Sequence, residues 1–344
     1  MTTLITGASG FLGGRLTEVL AQRGEDVRVL ARDTSDLSHL AGLPIRITRG
    51  ELGRPDTLTE ATRGVKTVYH CAGLSADWGR WADFEGVNVT GVKNLLDAAG
   101  RAGTVERFLH VSTTDVYGYP EEACPESHGI RDIGLPYNRS KGLGEKAAWD
   151  FHRATGLPVT VVRPCNIFGP RSKDFVVEVS NLLLQGQMMT IDGGARRAGL
   201  LFVDNAVEGI IAAARSPAAV GQSYNLRDES DVTWRQYLDR LAAGLGARRA
   251  WINLRAGLAL AIARAFEGAY GLLRRQSRPL LTRHSVYLLG RDQGFPIDKA
   301  RQELGFRSVV GFDEALQRTL SWLESPAGQR AVPRKRAARE VAHA

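Results

Sequence analysis

Two side chains that can move a proton stand four positions apart, at Tyr137 and Lys141 in PYNRSKGLGEKAAWDF. In a helix this spacing places both side chains on one face. A phenol has an unperturbed pKa of about 10, and a neighbouring ammonium favours the phenolate and lowers that pKa. Tyr137 is therefore a candidate to exchange a proton with a substrate oxygen.

A glycine cluster, TGASGFLGGRL at residues 6–16, follows the apolar residues TTLI. Gly7, Gly10 and Gly13 have the spacing G-x-x-G-x-x-G between a predicted strand and a predicted helix, which indicates dinucleotide binding. The first glycine permits a tight turn, the second lets the backbone approach a pyrophosphate, and the third lets the helix pack against the strand. Free N–H groups at the helix N-terminus then bind the phosphates. The predicted cofactor loop also includes Ser9, Phe11 and Leu12.

The end of the second predicted strand, VRVLARD, bears on which nicotinamide cofactor binds. An acid there hydrogen-bonds the adenosine ribose, whereas a cation accepts a 2′-phosphate. Arg32 occupies this place, and Asp33 stands one residue beyond it. The sequence therefore favours NADP(H), with NAD(H) as the alternative, and predicts that Tyr137 exchanges its proton while a hydride moves to or from the nicotinamide ring.

Six apolar runs of strand length alternate with helical stretches: TTLIT, DVRVLA, IRITR, TVYHCA, RFLHVS and VTVVRP. This alternation predicts an α/β fold, a doubly wound parallel sheet of the Rossmann type with a smaller C-terminal substrate-binding region. We expect the dinucleotide-binding domain at residues 1–170, with 198–216 returning to it. The substrate-binding region is expected at 171–197 and 217–325, followed by a basic, disordered tail at 326–344.

Composition excludes several other classes of protein. The chain has 344 residues, a net charge of +8 and three cysteines, none in a C-x-x-C pair. The cysteines suggest neither a disulfide framework nor a zinc site, the seven histidines form no ligand pattern, and no secretory signal is visible. We expect a cytoplasmic enzyme without a metal ion. The positive charge has no nucleic-acid motif beside it, so no nucleic-acid partner is predicted.

Further motifs complete a resemblance to the extended short-chain dehydrogenase/reductase superfamily over about residues 1 to 325. They are HCAGLSA, NVTGVKNLL, VSTTDVYG, YNRSK, RPCNIFGP and LLFVDNAVEG. The resemblance implies that Thr113 hydrogen-bonds the substrate oxygen, that Asn88 is the family's helix asparagine, and that the chain forms a homodimer. It implies cofactor contacts at Tyr137, Lys141, Cys71, Ala72, Gly73, Pro164 and Leu52, although Glu51 stands where the family usually has Asp.

The segments LSADWGRWADFEGVN and RPLLTRHSVYLLGRDQGFPIDKARQELGF resemble the 3β-hydroxysteroid dehydrogenase branch. This resemblance implies interconversion of a 3-hydroxy and a 3-keto group on a large apolar small molecule, either sterol-like or a long-chain 2-alkyl-3-keto acid. We expect residues 254–273 to form a helix packed on the substrate region, with peripheral contact to the inner face of a membrane as the alternative. The predicted apolar stripe comprises Leu254, Leu258, Ile262, Phe266, Ala269, Tyr270 and Leu273.

Two other functions stay open at this point. A nucleotide-sugar 4-epimerase or dehydratase with tightly bound NAD uses the same Tyr and Lys, and Asn166 and Arg197 match positions that hold the diphosphate in such enzymes. A non-catalytic NADP-sensing protein on this fold is the third hypothesis, although such proteins usually lack the Tyr or the Lys, and both are present here.

Overall fold

The computed structural model describes residues 1–273, 275 and 277–333. Its strands are β1 (Thr2–Thr6), β2 (Asp26–Ala31), β3 (Ile45–Arg49), β4 (Thr67–His70), β5 (Arg107–Val111), β6 (Val159–Pro164), β7 (Asn166–Phe168), β8 (Met189–Ile191), β9 (Leu200–Phe202), β10 (Ser223–Leu226) and β11 (Ile252–Leu254).

The α-helices are α1 (Phe11–Gln22), α2 (Pro55–Thr62), α3 (Trp81–Glu85), α4 (Gly91–Ala102), α5 (Pro136–Thr155), α6 (Val179–Leu184), α7 (Val203–Arg215), α8 (Trp234–Leu245), α9 (Ala256–Leu272), α10 (Arg283–Gly290), α11 (Asp298–Leu304), α12 (Phe312–Glu324) and α13 (Pro326–Ala331). A π-helical turn, Gly86–Thr90, joins α3 to α4, and another, Lys173–Glu178, leads into α6.

Seven parallel strands form the main sheet in the order β10-β6-β5-β4-β1-β2-β3. The six predicted strands are its first six, and the predicted α/β fold is confirmed. From β1 the chain winds outward first through β2 and β3 and then through β4, β5 and β6. The crevice at the carboxyl ends of β1 and β4 is therefore the switch point at which such sheets bind ligands.

Helices cover both faces of this sheet, and the side chains of its central strands are accordingly almost all buried. On one face Leu16 and Leu20 of α1 pack in the same apolar cluster as Val207 and Ile210 of α7. The other face is covered by α2, α4 and α5. Left-handed glycines end two of these helices, Gly103 after α4 and Gly156 after α5, since only glycine adopts that conformation freely.

The C-terminal region differs from the predicted boundaries at two places. β10, within the segment 217–325 expected to bind substrate, is the edge strand of the main sheet and pairs with β6. Its four residues are too few for a recognisable apolar run. Residues 326–332, expected in the disordered tail, include α13 and the buried Gly328 and Val332. Residues 334–344 of that tail lie outside the described residues.

Helix α9 corrects a third expectation. It was expected to pack through the predicted stripe, but only Ala259 and Ala263 of this helix are buried. Leu258, Phe266 and Leu273 of the stripe are exposed to solvent. Two residues of the stripe, Ile262 and Leu254, are half-buried against the core, and Leu254 belongs to β11 rather than to the helix. The stripe is therefore divided between the core and the solvent.

A buried ion pair anchors α5, the helix that carries Tyr137 and Lys141, to the sheet. Arg163 Nη2 of β6 lies 2.5 Å from Glu145 Oε1, and both side chains are almost wholly buried. Ser112 Oγ donates to Glu145 Oε2 over 2.6 Å, and Arg163 Nη1 donates to Tyr117 Oη over 2.7 Å. Because these partners come from β5, β6 and the turn after β5, they hold the helix in one position over the sheet.

We expect Glu145→Ala to destabilise the protein by about 3–5 kcal/mol, because it leaves the Arg163 charge buried without its partner. Urea unfolding followed by circular dichroism measures this loss. The matched control is Asp150→Ala on the same helix, which breaks only exposed pairs with Lys146 and Arg153 and should leave the unfolding midpoint almost unchanged. Equal midpoints for the two variants would contradict the anchoring role of Glu145.

Candidate active site

The glycine loop joins β1 to α1 through a left-handed turn at Gly7, whose φ is +79°. A Cβ on Gly7 would lie 2.6 Å from the backbone nitrogen of Ala72, and one on Gly13 would lie 2.4 Å from the Gly7 carbonyl oxygen. Both contacts are shorter than any side chain tolerates. The first and third glycines are therefore required by the protein's own packing.

Gly10 is different, because a Cβ there would meet only the Gly7 carbonyl oxygen, at 3.2 Å, with φ at −86°. The packing of the protein alone would accept a methyl group at this position after a shift of a few tenths of an ångström. Gly10 is also the N-cap of α1 and supplies no side-chain cap, so the first N–H groups of the helix face outward. An open cradle at a helix N-terminus fits a pyrophosphate.

A series of close contacts connects this loop with Lys141. Gly7 lies against Ala72, in the segment after β4, and the next residue is Gly73. A methyl group on Gly73 would lie 3.3 Å from Asn88 Oδ1 and 3.8 Å from Lys141 Nζ. The predicted residues Cys71, Ala72 and Gly73 therefore lie between the glycine loop and the Tyr-Lys pair, where a bound dinucleotide would have to pass.

Lys141 is held at the carboxyl end of β5. Its Nζ donates to the carbonyl oxygen of Val111 over 2.7 Å. Burial lowers the pKa of Lys141 to about 8, and this lowering is opposed by the negative charge of Glu145, one helical turn further along α5. The structure thus fixes the position of the ammonium group and makes its charge sensitive to pH near neutrality.

Tyr137 is the second residue of α5, after Pro136, and lies one turn before Lys141. Burial raises the pKa of Tyr137 above its ordinary value, and the carboxylates of Asp115 and Asp174 raise it further. The hydroxyls of Ser75 and Thr113 act in the opposite direction by hydrogen bonding. In the protein alone the phenol therefore stays protonated. The lower pKa of Tyr137 predicted from the sequence requires additional positive charge, such as that of an oxidised nicotinamide.

Asn88 occupies the π-helical turn between α3 and α4, a local irregularity often found at functional sites. Its Oδ1 accepts from the backbone nitrogen of Leu74 over 2.8 Å, and its Nδ2 donates to Leu74 O and to Ser140 Oγ over 3.1 and 2.9 Å. Gly144 lets α5 approach this turn, since a Cβ there would lie 2.1 Å from the Asn88 carbonyl oxygen. Asn88 therefore positions the segment that follows Gly73 against α5.

The remaining residues implied by the resemblance lie at the carboxyl edge of the sheet or next to it. Thr113 follows β5 and caps the next turn by accepting from Asp115 N over 3.2 Å, and Pro164 is the buried last residue of β6. Leu52 contacts Gly91 of α4, and its carbonyl oxygen accepts from Asn94 Nδ2 over 2.8 Å. Both contacts join Leu52 to α4.

Arg32 is exposed directly after β2. Its carbonyl oxygen accepts from Arg49 Nη1 over 2.9 Å, and Arg49 is the last residue of β3. Asp33, with its side chain 90% exposed, is 4.0 Å from Arg49 Nε. The Arg49 guanidinium therefore meets the Arg32 backbone and the Asp33 carboxylate at this corner. Sequence reasoning missed Arg49, although its place at the end of the neighbouring strand was a readable signal.

Sequence reasoning also missed the residues on the substrate side of Tyr137. The ring of His284, in α10, lies 6.0 Å from the Tyr137 ring between centroids, and His284 Nδ1 is 3.2 Å from Tyr119 Oη. Ser75 Oγ donates to Asp174 Oδ2 over 3.5 Å. His284 and Asp174 are more than 30 residues from Tyr137 in the chain, and neither belongs to a motif that marks a site.

An ionic cluster joins three distant segments beside these residues. Arg278 Nε donates to both carboxylate oxygens of Asp77 over 2.7 Å, and Arg278 Nη1 donates to Glu178. Thr282 Oγ1 donates to Asp77 Oδ2 over 2.8 Å. The cluster ties the segment after β4 to the π-turn before α6 and to the loop after α9, and it neutralises the positive charge of Arg278.

Comparison with known proteins agrees with this geometry. The family model described as "NAD dependent epimerase/dehydratase family" matches residues 3–226, which contain the glycine loop, Thr113, Tyr137 and Lys141. This match covers most of the chain and every predicted catalytic residue.

Named relatives extend over nearly the whole chain. A 4-hydroxy-2-methyl-3-oxo-4-farnesyl-3,4-dihydroquinoline-1-oxide ketoreductase of Stigmatella aurantiaca is 32% identical over 97% of this chain and 100% of its own length. A 2-alkyl-3-oxoalkanoate reductase of Stenotrophomonas maltophilia is 28% identical over 92% of this chain and 98% of its own. A decarboxylating sterol-4-alpha-carboxylate 3-dehydrogenase of Mus musculus is 27% identical over 92% of this chain and 89% of its own.

A solved structure supports the fold. The UDP-glucose 4-epimerase of Thermotoga maritima, crystallised with UDP-glucose, superposes with a TM-score of 0.76 at 20% identity over 94% of this chain and 99% of its own. The family match, the 32% identical relative and the parallel seven-stranded sheet agree with one another. The chain belongs to the NAD-dependent epimerase/dehydratase family and is an extended short-chain dehydrogenase/reductase with relatives in the 3β-hydroxysteroid dehydrogenase branch.

Proposed function

We propose that this oxidoreductase interconverts a 3-hydroxy and a 3-keto group on a large apolar substrate, with NADP(H) as the preferred cofactor. The observation that carries the proposal is the geometry around Tyr137. Tyr137 stands one helical turn from a lysine fixed at the end of β5, and its ring lies 6.0 Å from that of His284. Asn88 ties the same helix to the segment that contacts the glycine loop.

In the reducing direction, Tyr137 Oη donates its proton to the substrate oxygen as the carbonyl becomes a hydroxyl. The cofactor, when bound, supplies the hydride that reduces the carbonyl carbon. Thr113 and Ser75 orient the substrate oxygen and the phenol by hydrogen bonding, and Lys141 places a positive charge near the developing phenolate. In the oxidising direction the Tyr137 phenolate accepts the hydroxyl proton.

The charge distribution near the site supports a weakly charged apolar substrate. Arg278, which binds the segment after β4 at Asp77, is paired with both Asp77 and Glu178. Aromatic rings lie on the same side of the site: Tyr119 stacks on Tyr287 at 5.7 Å, and Trp78 meets Tyr270 edge to face at 6.3 Å. The names of the Stigmatella and Stenotrophomonas relatives describe oxo substrates that carry a farnesyl or an alkyl group, which supports an apolar substrate.

Arg197 and Asn166, the two residues that favoured a nucleotide-sugar substrate, both bind other groups of the protein. Arg197 binds Asp292 in a bidentate ion pair, with Nη2 to Oδ2 at 2.5 Å and Nε to Oδ1 at 2.9 Å. Asn166 Nδ2 donates to the carbonyl oxygen of Ala198 over 2.6 Å and is buried. A diphosphate at this place would have to displace both contacts, so these observations favour the reductase over the epimerase.

We expect Tyr137→Phe to lower the turnover of a long-chain 3-keto substrate by about 10²- to 10⁴-fold, because the positioned proton donor is lost. Binding of NADPH, followed by fluorescence titration, should stay near that of the wild type because the ring remains. Lys141→Met should instead impair both kcat and the KM for the cofactor. For the wild-type enzyme, kcat/KM for alcohol oxidation should rise with pH, since oxidation requires the phenolate, and the rate of reduction should fall.

Wild-type turnover by Tyr137→Phe would show that another group is the acid. A screen of purified protein against 3-keto acids, sterols and UDP-sugars distinguishes the substrate classes. Retained NAD with epimerisation of a UDP-sugar would contradict the proposed reaction, and absence of turnover of every class despite tight NADPH binding would favour the non-catalytic alternative.

Gly10→Ala should fold with a melting temperature close to that of the wild type, because the structure has room for this methyl group. We expect its affinity for NADPH to fall about tenfold or more, since the backbone can no longer approach the pyrophosphate. Gly13→Ala is the control, and it should lower the melting temperature by forcing α1 away from Gly7. Normal NADPH titration of folded Gly10→Ala would refute the assignment of the glycine loop.

Arg32→Ala should weaken NADPH binding about 10- to 100-fold while changing NADH binding little, because one charge-assisted contact to the 2′-phosphate is lost. The matched control is Arg46→Ala, on β3 but paired with Asp26 at the opposite end of the strand. This control should leave the ratio of the two affinities unchanged. Equal losses of NADPH and NADH binding in Arg32→Ala would show that Arg32 does not select the cofactor.

A further inference from the structure

The solvent-facing side of α9 is apolar, the reverse of an ordinary surface helix. Leu272 is 86% exposed and Leu258 is 56% exposed. Within α9 the exposed residues are Gly257, Leu258, Ala261, Arg264, Ala265, Phe266, Gly268, Ala269, Gly271 and Leu272. Only Arg264 in this set is charged. The apolar face continues beyond the ends of the helix, with Trp251 70% exposed before it and Leu273 62% exposed after it.

The only carboxylate on α9 belongs to Glu267, and it does not face solvent with the apolar residues. Glu267 accepts from the backbone nitrogen of Arg283 over 2.7 Å and from Arg283 Nε over 2.6 Å. This pair joins α9 to the start of α10. The exposed face of α9 therefore contributes no negative charge.

Exposed arginines surround the apolar face. Arg248, Arg249 and Arg255 precede the helix, Arg264 lies within it, and Arg275 follows it. The guanidinium of Arg275 lies 5.7 Å above the ring of Tyr270. A helix with an apolar face, arginines at its edges and an exposed Trp near one end has the composition of helices that lie in the interface of an anionic membrane.

We propose that α9 and its flanking residues form a docking surface for an anionic lipid bilayer, with the helix lying in the plane of the headgroups. Among the residues that the structure describes, no helix is long and apolar enough to cross a membrane. At 17 residues α9 is about 25 Å long, which suits a position parallel to the bilayer surface. The proposal concerns this surface alone and does not depend on the proposed reaction.

Charge complementarity favours lipid over a second copy of the chain as the occupant. In a two-fold symmetric dimer the same surface meets itself, so the arginines around α9 would face one another. Phosphate headgroups of anionic lipids instead neutralise them, while the leucine and phenylalanine side chains enter the boundary of the acyl chains.

The docking surface adjoins the segment that reaches the active site. Tyr270 of α9 meets the ring of Trp78, and Trp78 Nε1 donates to the carbonyl oxygen of Arg275 over 3.4 Å. Trp78 is three residues from Ser75, which interacts with Tyr137. A membrane on this face would therefore lie beside the segment between β4 and α3, on the substrate side of the phenol.

The test is co-sedimentation of the full chain with vesicles of phosphatidylcholine, with and without phosphatidylglycerol. We expect binding to the anionic vesicles that weakens as salt is added. The double variant Phe266→Asp/Leu272→Asp should bind about tenfold or more weakly at every salt concentration, because both the apolar contact and the favourable charge are reduced. Its NADPH binding should be unchanged, which shows that it is folded.

Three controls make the result specific. Val309→Asp changes an apolar side chain that is 64% exposed between α11 and α12, and it should bind vesicles like the wild type. A chain ending at residue 333 lacks the basic tail and should retain most of the binding. Arg248→Ser/Arg249→Ser should weaken binding to vesicles that contain phosphatidylglycerol and leave binding to pure phosphatidylcholine vesicles unchanged.

Several outcomes would overturn the proposal. They are no binding of the wild type to anionic vesicles, equal binding of Phe266→Asp/Leu272→Asp and the wild type, and complete loss of binding in the chain ending at residue 333. A wild-type dimer that dissociates in Phe266→Asp/Leu272→Asp would show instead that a second copy covers this face.

Discussion

The position of α5 over the sheet is the constraint on which the candidate site depends, and the buried pair of Glu145 and Arg163 sets it. A carboxylate and a guanidinium buried together tolerate little displacement, because separation would leave each charge without compensation. One turn along the same helix, Lys141 reaches the carbonyl oxygen of Val111, and one turn further Tyr137 meets His284. The ion pair in the core therefore also fixes the position of the Tyr137 phenol.

Close approach of backbones is the second requirement, and glycines at three contacts provide it. Gly7 lies against Ala72, Gly13 against Gly7, and Gly144 against the π-helical turn at Asn88. These contacts bring the cofactor loop, the segment after β4 and α5 together around one crevice. Gly10 has no comparable contact within the protein, so its small size fits the proposed approach of a pyrophosphate to the loop. The distinction between packing glycines and ligand glycines becomes visible only when each missing Cβ is placed in its surroundings.

The protein surrounds Tyr137 with groups that oppose its ionisation. Burial and the carboxylates of Asp115 and Asp174 keep the phenol protonated, and the hydroxyls of Ser75 and Thr113 counteract them only in part. Ionisation of this phenol therefore needs a positive charge that the protein alone does not place there. The surroundings of Tyr137 are assembled from the segment after β4, the π-turn before α6, and α10, and the contacts of Arg278 with Asp77 and Glu178 and of Thr282 with Asp77 hold these distant parts together. The same region extends to α9, whose exposed face is apolar.

The sequence by itself determined the six leading strands, the glycine loop and the Tyr-Lys pair, because each depends on local spacing within a strand, a turn or a helix. It also contained the family resemblance that the comparisons confirmed. Tertiary structure alone decided that β10 joins the main sheet, since a four-residue strand gains its place from pairing with β6. It also decided that Arg197 and Asn166 bind other residues of the protein and that His284 and Asp174 approach Tyr137. Tertiary structure likewise decided that α9 exposes Leu258, Phe266 and Leu272. These features depend on contacts between residues far apart in the chain, and periodicity cannot identify which neighbour covers a given face.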